Sequence, residues 1–315
     1  MNLELLHIEI QNFINLNLKS DVSDLLLKGI PFKHIDSRLI IEQIEAKKRS
    51  NTKLPTWYNS ENIYYPNKLN IEQTSSEITA KYKASLVSGS SLIDLTGGFG
   101  IDAYYFSEQI ENITHCEINT ELSEIAKHNA MALKASNINC LNESGIEVIK
   151  RIDQTFDWIY IDPSRRVEAK QKVFLLSDCA PNIKTFQGLF LKYAKNVMIK
   201  TSPLLDISAT LKVLKHVKNI HIVAVNNEVK ELLWILERHF EGEVNINTTN
   251  IHKDTSQNFG FLFEKEPTAK VEYSKPLRYL YEPNSAVLKS GGFHSISADI
   301  GIPKLHKHSH LYTSE

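Results

Sequence analysis

Cysteine is scarce in this sequence. Cys116, Cys140 and Cys179 are odd in number and far apart along 315 residues. They offer neither a disulfide framework nor a Cys-x-x-Cys metal pair, so each reads as a small apolar core residue. Long apolar runs are missing too, and no stretch approaches the roughly 20 residues that a helix needs to cross a bilayer. The opening MNLELLHIEIQNF has acids among its apolar positions and neither a basic start nor a small-residue cleavage site. A secretory leader is therefore not expected, and the reading is a cytoplasmic protein with no membrane partner. Nor is there an excess of one charge: 36 Lys and Arg against 37 Asp and Glu leave a formal net charge of -1. Any nucleic-acid binding must then come from a local basic surface. What remains is an ordinary globular composition, 42% hydrophobic and 23% charged, long enough for about two or three folding units.

From Leu6 to about Ser50, apolar positions such as Leu6, Ile10, Phe13, Ile14, Ile40 and Ile44 recur at helical spacing. Residues 51–70, with Pro55 and Pro66 and no sustained period, read as a connecting loop with a boundary near residue 70. Thr74, Ser75, Ser76 and Glu77 have the spacing of a capping box, with Ile78, Tyr82 and Leu86 following on one helical face. Short apolar runs then alternate with amphipathic segments: SLIDL (91–95), NITHCE (112–117), INCL (138–141), DWIYID (157–162), NVMIK (196–200) and NIHIVAV (219–225). Such alternation predicts an α/β fold of parallel strands joined by helical crossovers. A further helix is predicted through Val229, Leu232, Leu233, Leu236 and Phe240, followed by an edge hairpin of VNINTTNI (244–251) and FGFLFEK (259–265). A second boundary falls at Pro276, where the composition changes.

The loop DLTGGFG joins the first strand to a helical segment, and it places Asp94, Thr96, Gly97, Gly98 and Gly100 where a sheet presents its carboxyl edge to a ligand. A dinucleotide turn is expected to read G-x-G-x-x-G and to face a pyrophosphate. Here an acid precedes G-G-x-G, which suits the cationic, phosphate-free methionine part of S-adenosylmethionine better. Glu117 ends the second strand, where a carboxylate can accept from two ribose hydroxyls. Glu143, after the third strand, is the candidate adenine contact, with a helix-starting acid as the competing role.

The fourth strand runs into Asp162-Pro163-Ser164-Arg165-Arg166. Pro163 can shape the turn and leave the preceding carbonyl to a substrate, and the two arginines can fork onto phosphate or carboxylate, unless they are simply solvated. Asp162, Pro163 and Arg165 are the candidate catalytic residues, Asp162 also bordering the cofactor, and Arg166 and Lys200 the candidate substrate contacts. Lys192, Lys195, Lys212, Lys215 and Lys218 read either as a basic patch or as solvated helix faces. His306, His308 and His310 alternate, but without an acid or cysteine partner they read as an ordinary polar segment, and no metal is expected.

Several motifs together, KLPTW (53–57), EQTSSEITAKYKA (72–84), DLTGGFGID (94–102), DPSRR (162–166), KTSPLLD (200–206), NEVKELL (227–233) and YLYEPNSAVLKSGGF (279–293), resemble the class I S-adenosylmethionine-dependent methyltransferases that carry a THUMP-like domain. The resemblance implies a helical region at 1–70, a Rossmann-like methyltransferase domain at 71–275 and a small ferredoxin-like segment at 276–315, with the chain ending before a THUMP-like domain. It also implies RNA as the substrate. DPSR resembles the D-P-P-Y motif of amino-group methyltransferases, with Ser164 and Arg165 in place of the second proline and the aromatic. The alternatives are a nicotinamide-dependent oxidoreductase and a non-catalytic RNA-binding module on the same sheet.

Overall fold

A computed structural model describes residues 1–152, 154–165, 176 and 179–315. The chain divides into two compact units, Met1–Trp158 and Ile159–Glu315.

The first unit opens with α1 (Ile8–Leu16), α2 (Val22–Lys28), α3 (Ser37–Lys53), α4 (Pro55–Asn59), α5 (Lys68–Gln73) and α6 (Glu77–Ala84). Asp21, Asp36, Asn67 and Ser76 each accept a backbone N–H from the first turn of the helix they precede, relieving donors that have no intrahelical partner. The expected loop at 51–70 is corrected. The end of α3, all of α4 and the start of α5 lie in it, because Pro55 takes the first position of α4, where its missing N–H costs nothing. The capping box is corrected as well. Ser76, not Thr74, caps α6, and Glu77 instead accepts from the Thr56 N–H at 2.9 Å and hydroxyl at 2.8 Å. Nor does α6 bury the face through Ile78, which is 42% exposed, whereas Glu77, Thr79, Ala80 and Lys83 are buried.

The sheet of this unit follows: β1 (Gly89–Asp94), α7 (Ile101–Phe106), β2 (Ile110–Cys116), α8 (Thr120–Ala132), β3 (Ile138–Leu141), α9 (Gly145–Arg151) and the first residues of β4 (Phe156–Ile161). Strands β1, β2 and β3 pair in parallel, Ile93 opposite Thr114 and Cys116 opposite Leu141. Ile125, Ala126 and Ala130 of α8 are buried, as the crossover pattern requires.

The second unit holds the rest of β4, then β5 (Ser164–Arg165), β6 (Cys179–Ala180), α10 (Ile183–Tyr193), β7 (Ala194–Thr201), α11 (Ile207–Leu211), β8 (Val217–Val225), β9 (Glu228–Glu237), β10 (Asn245–Ile251) and β11 (Ser256–Leu262). Its strands run in the order β11, β10, β8, β9, β7. The helix expected through Val229 to Phe240 is corrected. These residues form β9, antiparallel to both β7 and β8. Asn226 and Asn227 take φ of 50° and 63°, the left-handed pair that reverses a hairpin in two residues. Glu231 through Leu236 are all buried. A strand covered on both faces shows no alternation, so a continuous apolar run also satisfies helical spacing. The expected edge hairpin is present as β10 and β11, with β10 parallel to β8.

The chain closes with β12 (Tyr279–Tyr281), α12 (Ser285–Ser290), α13 (Phe293–Ile300) and β13 (Tyr312–Ser314), in which β12 and β13 pair antiparallel. The Tyr312 hydroxyl donates to Phe293 O at 2.8 Å, tying strand to helix. The architecture is thus α/β with parallel strands, helical crossovers and a small C-terminal segment. Among the described residues, no helix is long and apolar enough to cross a membrane.

Candidate functional site

Leu92 and Ile93 are fully buried and anchor β1, so the chain emerges at Asp94 on the carboxyl edge. Asp94 is 1% exposed. Its Oδ1 accepts from Thr96 N at 2.9 Å and from the Thr96 hydroxyl at 3.4 Å, closing the turn. Gly97 N donates to Cys116 O at 2.8 Å and stitches the turn to the end of β2. Gly98 and Gly100 have φ of 55° and 83°, where a side chain is strained. Gly97 is required for a different reason: a Cβ there would lie 2.2 Å from His115 Nε2.

Glu117 folds onto this loop. One carboxylate oxygen accepts from Gly98 N at 2.8 Å and the other from Asn119 N at 2.7 Å. A carboxylate has about four acceptor positions, so each oxygen retains capacity for a further donor. Asn142 Nδ2 donates to Glu117 O at 2.9 Å and holds the ends of β2 and β3 together. Glu143 accepts at 2.9 Å on both oxygens from Arg151 Nη2, an exposed pair at the start of α9. The structure therefore gathers Asp94, Thr96, Gly97, Gly98, Gly100 and Glu117 around one turn, whereas Glu143 is engaged by Arg151.

Three supports of this turn escape sequence reasoning. His115 is completely buried, and no hydrogen bond closes on either ring nitrogen. Burial holds its imidazole below the usual histidine range, while the backbone of Gly97 and the Glu117 carboxylate pull the other way. Its signal in the sequence is faint, a histidine two residues before Glu117 and so on the same face of the strand. Gly145 opens α9 so close to the loop that a Cβ would lie 2.5 Å from Leu95 Cα. Lys83, buried on α6, meets Asp102 in the first turn of α7 at 3.2 Å and Ser75 Oγ at 3.0 Å. The space behind the loop, lined by Trp57, Phe99, Gly100, His115, Asn129 and Cys140 among others, is about 10 Å³, room for a water at most. A ligand of the loop must lie on the Glu117 side.

In the second unit, Asp162 follows β4 and pairs with Lys200 of β7 at 2.6 Å, both partly buried. Pro163 is buried. The backbone of Arg165 pairs with Cys179, and Arg166 lies outside the described residues. His306 and His308 are exposed residues of a loop, not of a strand. Among the described residues, no group of three His, Cys, Asp or Glu is arranged to hold a metal ion.

A glycine turn after the first strand of an α/β sheet, with an acid held against it from the second, is the arrangement of the Rossmann-like nucleotide-binding folds. More particularly, the chain belongs to the family of a candidate methyltransferase from Porphyromonas gingivalis W83. The two are 32% identical over 99% of this chain and 78% of that one, with a TM-score of 0.87. Residues 279–315 match the model of a ferredoxin-like domain family, in agreement with the expected C-terminal segment. More distant likenesses are to a candidate class I S-adenosylmethionine-dependent methyltransferase from Listeria monocytogenes, 14% identical with a TM-score of 0.46 over 76% of this chain and 83% of that one. An rRNA methylase from Streptococcus thermophilus is 11% identical with a TM-score of 0.38 over 51% and 94%. Comparison with curated proteins gave no match.

Proposed function

We propose that this protein is an S-adenosylmethionine-dependent methyltransferase acting on RNA. The observation that carries the reading is the 2.8 Å bond from Gly98 N to the Glu117 carboxylate. In a dinucleotide turn the loop amides face a pyrophosphate. Here an acid takes the amide, repels such an anion, and keeps acceptor capacity on both oxygens for a pair of hydroxyls. A ribose without phosphates fits that description, and a positively charged sulfonium is favoured near Asp94 and Glu117. The same bond counts against a nicotinamide dinucleotide. The family relationship to a candidate methyltransferase supports the assignment.

Bound there, the cofactor supplies an electrophilic methyl group. We assign Glu117 to the ribose, Asp94 with Thr96 and the glycines to the shape and charge of the turn, and Glu143 to the adenine end once it exchanges Arg151. Asp162, Pro163 and Arg165 are assigned to the acceptor. The Asp162 carboxylate, oriented by Lys200, accepts a hydrogen bond from the acceptor group, and Pro163 leaves the preceding carbonyl available to do the same. Arg166 and Lys200 are assigned to substrate phosphates. Rate enhancement then comes from alignment, without a covalent enzyme intermediate. RNA is favoured as acceptor by the resemblance to methyltransferases with THUMP-like domains.

The test is transfer of labelled methyl from S-adenosylmethionine to fractionated RNA, protein and small-molecule extracts. Label is expected in RNA, with turnover abolished by Asp162→Ala. Binding of a nicotinamide cofactor with none of S-adenosylhomocysteine would reverse the assignment, and full turnover in Asp162→Ala would remove that loop from the reaction.

A further inference from the structure

At the end of the second unit's sheet where β7 and β8 begin and β9 finishes, the surface opens into a pocket of about 460 Å³, within the range of small-ligand sites. Its wall includes Lys192, Lys215, His216, Arg238 and His239, and no acidic side chain lines it among the described residues. The nearest acid on β9, Glu237, is engaged by Lys218 at 2.8 Å. Exposed Glu241 borders the adjoining groove, which shares His216. Like charges converging on one concavity repel each other when it is empty, so an anion there relieves a cost already present.

The cations are held rather than merely adjacent. Arg238 Nε donates to Ala194 O at 3.2 Å and Nη2 to Lys192 O at 3.1 Å, which fixes the guanidinium and leaves part of its donor fork for a ligand. His216 Nδ1 donates to Phe240 O at 2.9 Å, leaving Nε2 as the ring's other polar atom. His216 and His239 have φ of 59° and 64°, a conformation uncommon outside glycine and concentrated at functional sites. Gly188 sits inside α10 on the pocket wall, and a Cβ there would meet nothing within 4 Å. Glycine inside a helix costs about 1 kcal/mol relative to alanine, and here no crowding demands it. Its absent side chain keeps the pocket open.

We propose that this pocket binds phosphate, and that its occupant is a backbone phosphodiester of the RNA substrate. The choice of RNA rests on the function proposed above, whereas the phosphate chemistry rests on the pocket alone. β7 has eight residues between this pocket and the end that carries Lys200, a distance of roughly 25 Å at the usual strand rise. The contact therefore anchors a long substrate away from the Asp162 and Lys200 end, and it acts on KM and not on kcat.

The test is fluorescence anisotropy of a labelled single-stranded RNA oligonucleotide over a salt series, with wild type, Lys192→Glu/Lys215→Glu and Gly188→Leu. Thermal melting confirms folding, and S-adenosylhomocysteine binding is measured in parallel. Gly188→Leu fills open space and favours the helix. The charge reversal is expected to weaken RNA at least about tenfold and to flatten the salt slope by about 1.4, at roughly 0.7 per lost phosphate contact on a single strand. Gly188→Leu is expected to weaken RNA comparably, and both variants are expected to keep cofactor affinity. Unchanged RNA affinity and slope in both variants would overturn the proposal. Inorganic phosphate or a mononucleotide binding as tightly as the oligonucleotide, and lost in the same variants, would overturn the choice of RNA. If the charge reversal does not fold, Lys192→Gln/Lys215→Gln takes its place under the same criteria. Loss of methyl transfer to RNA with pocket-dependent RNA binding intact would count against the proposed function and not against the pocket.

Discussion

Gly97 in the first unit and Gly188 in the second are glycines for opposite reasons. At Gly97 a Cβ would fall 2.2 Å from the buried imidazole of His115, whereas at Gly188 it would meet nothing within 4 Å. One is forced by contact and the other keeps a wall open. The first unit's site is closed, built from backbone amides and acids. The second unit's pocket is open and built from cations. The sharpest way to break this contrast is Gly97→Ala. Nothing beside the loop can yield cheaply, since His115 is fully buried. The substitution is expected to destabilise by about 1–3 kcal/mol, as overpacked cores do, and to abolish cofactor binding. Wild-type denaturation and S-adenosylhomocysteine titration in Gly97→Ala would show that the imidazole does not brace the turn.

Next in size is Glu117→Ala, which removes the carboxylate from the amides of Gly98 and Asn119. Hydrogen bonds to a charged group contribute about 1.5–3 kcal/mol, so cofactor affinity is expected to fall roughly 10- to 150-fold. Stability should change little, because the bared amides can turn to solvent. Titration calorimetry reads the first and urea denaturation the second. A large loss of stability with cofactor affinity retained would make Glu117 a structural cap and not a ribose ligand.

The two regions also differ in how far the sequence alone discloses them. Asp94, the glycines and Glu117 are legible because they are local, lying in or just after strands whose apolar runs stand out. What lies behind them is not. His115, Gly145 and the Lys83–Asp102 pair act on the loop across 15 or more residues of sequence, and no periodicity records a through-space contact. β9 illustrates a different failure. Its run of buried residues fits helical and strand spacing alike, and the deciding signal is the Asn226–Asn227 pair, two residues that tolerate positive φ. The basic pocket was visible only as scattered lysines, because Lys192, Lys215 and Arg238 converge only when β7, β8 and β9 are aligned. Lys200 was read as a substrate contact from its place at a strand end, and its pairing with Asp162 required the fold.

Acid sharpens the comparison further. Each unit has a histidine held below its ordinary range by burial, His115 on β2 and His221 on β8, the latter down to about 4. An unfolded histidine titrates near 6.5. Below that pH the unfolded chain takes up protons that these two sites refuse, so stability falls as pH drops, by up to about 1.4 kcal/mol per pH unit for each site. For His221 the window runs from about 6.5 down to about 4. Urea midpoints measured from pH 7 to pH 4.5 are expected to fall, and less so in His115→Gln and in His221→Gln. In the first unit the loss reaches the cofactor loop, so S-adenosylhomocysteine affinity should fall with acid in His221→Gln but hold in His115→Gln. Identical pH dependence of binding in the two variants would separate His115 from the loop.

The smallest effect expected has the opposite sign. Gly188→Ala places a methyl group in open space within α10, and replacing glycine by alanine inside a helix stabilises by about 0.5–1 kcal/mol. Thermal melting should therefore move up slightly, where Gly97→Ala moves it down. A single methyl leaves most of the pocket's volume, so RNA affinity should stay near wild type while Gly188→Leu loses it. Retaining a stability cost that one substitution removes is understandable only if larger side chains at this position are harmful for some other reason. A graded loss of RNA affinity from Gly through Ala to Leu, with stability rising throughout, identifies that reason as occupancy of the pocket. A fall in stability at Gly188→Ala would instead mean that α10 needs this glycine for its own backbone, and the contrast with Gly97 would disappear.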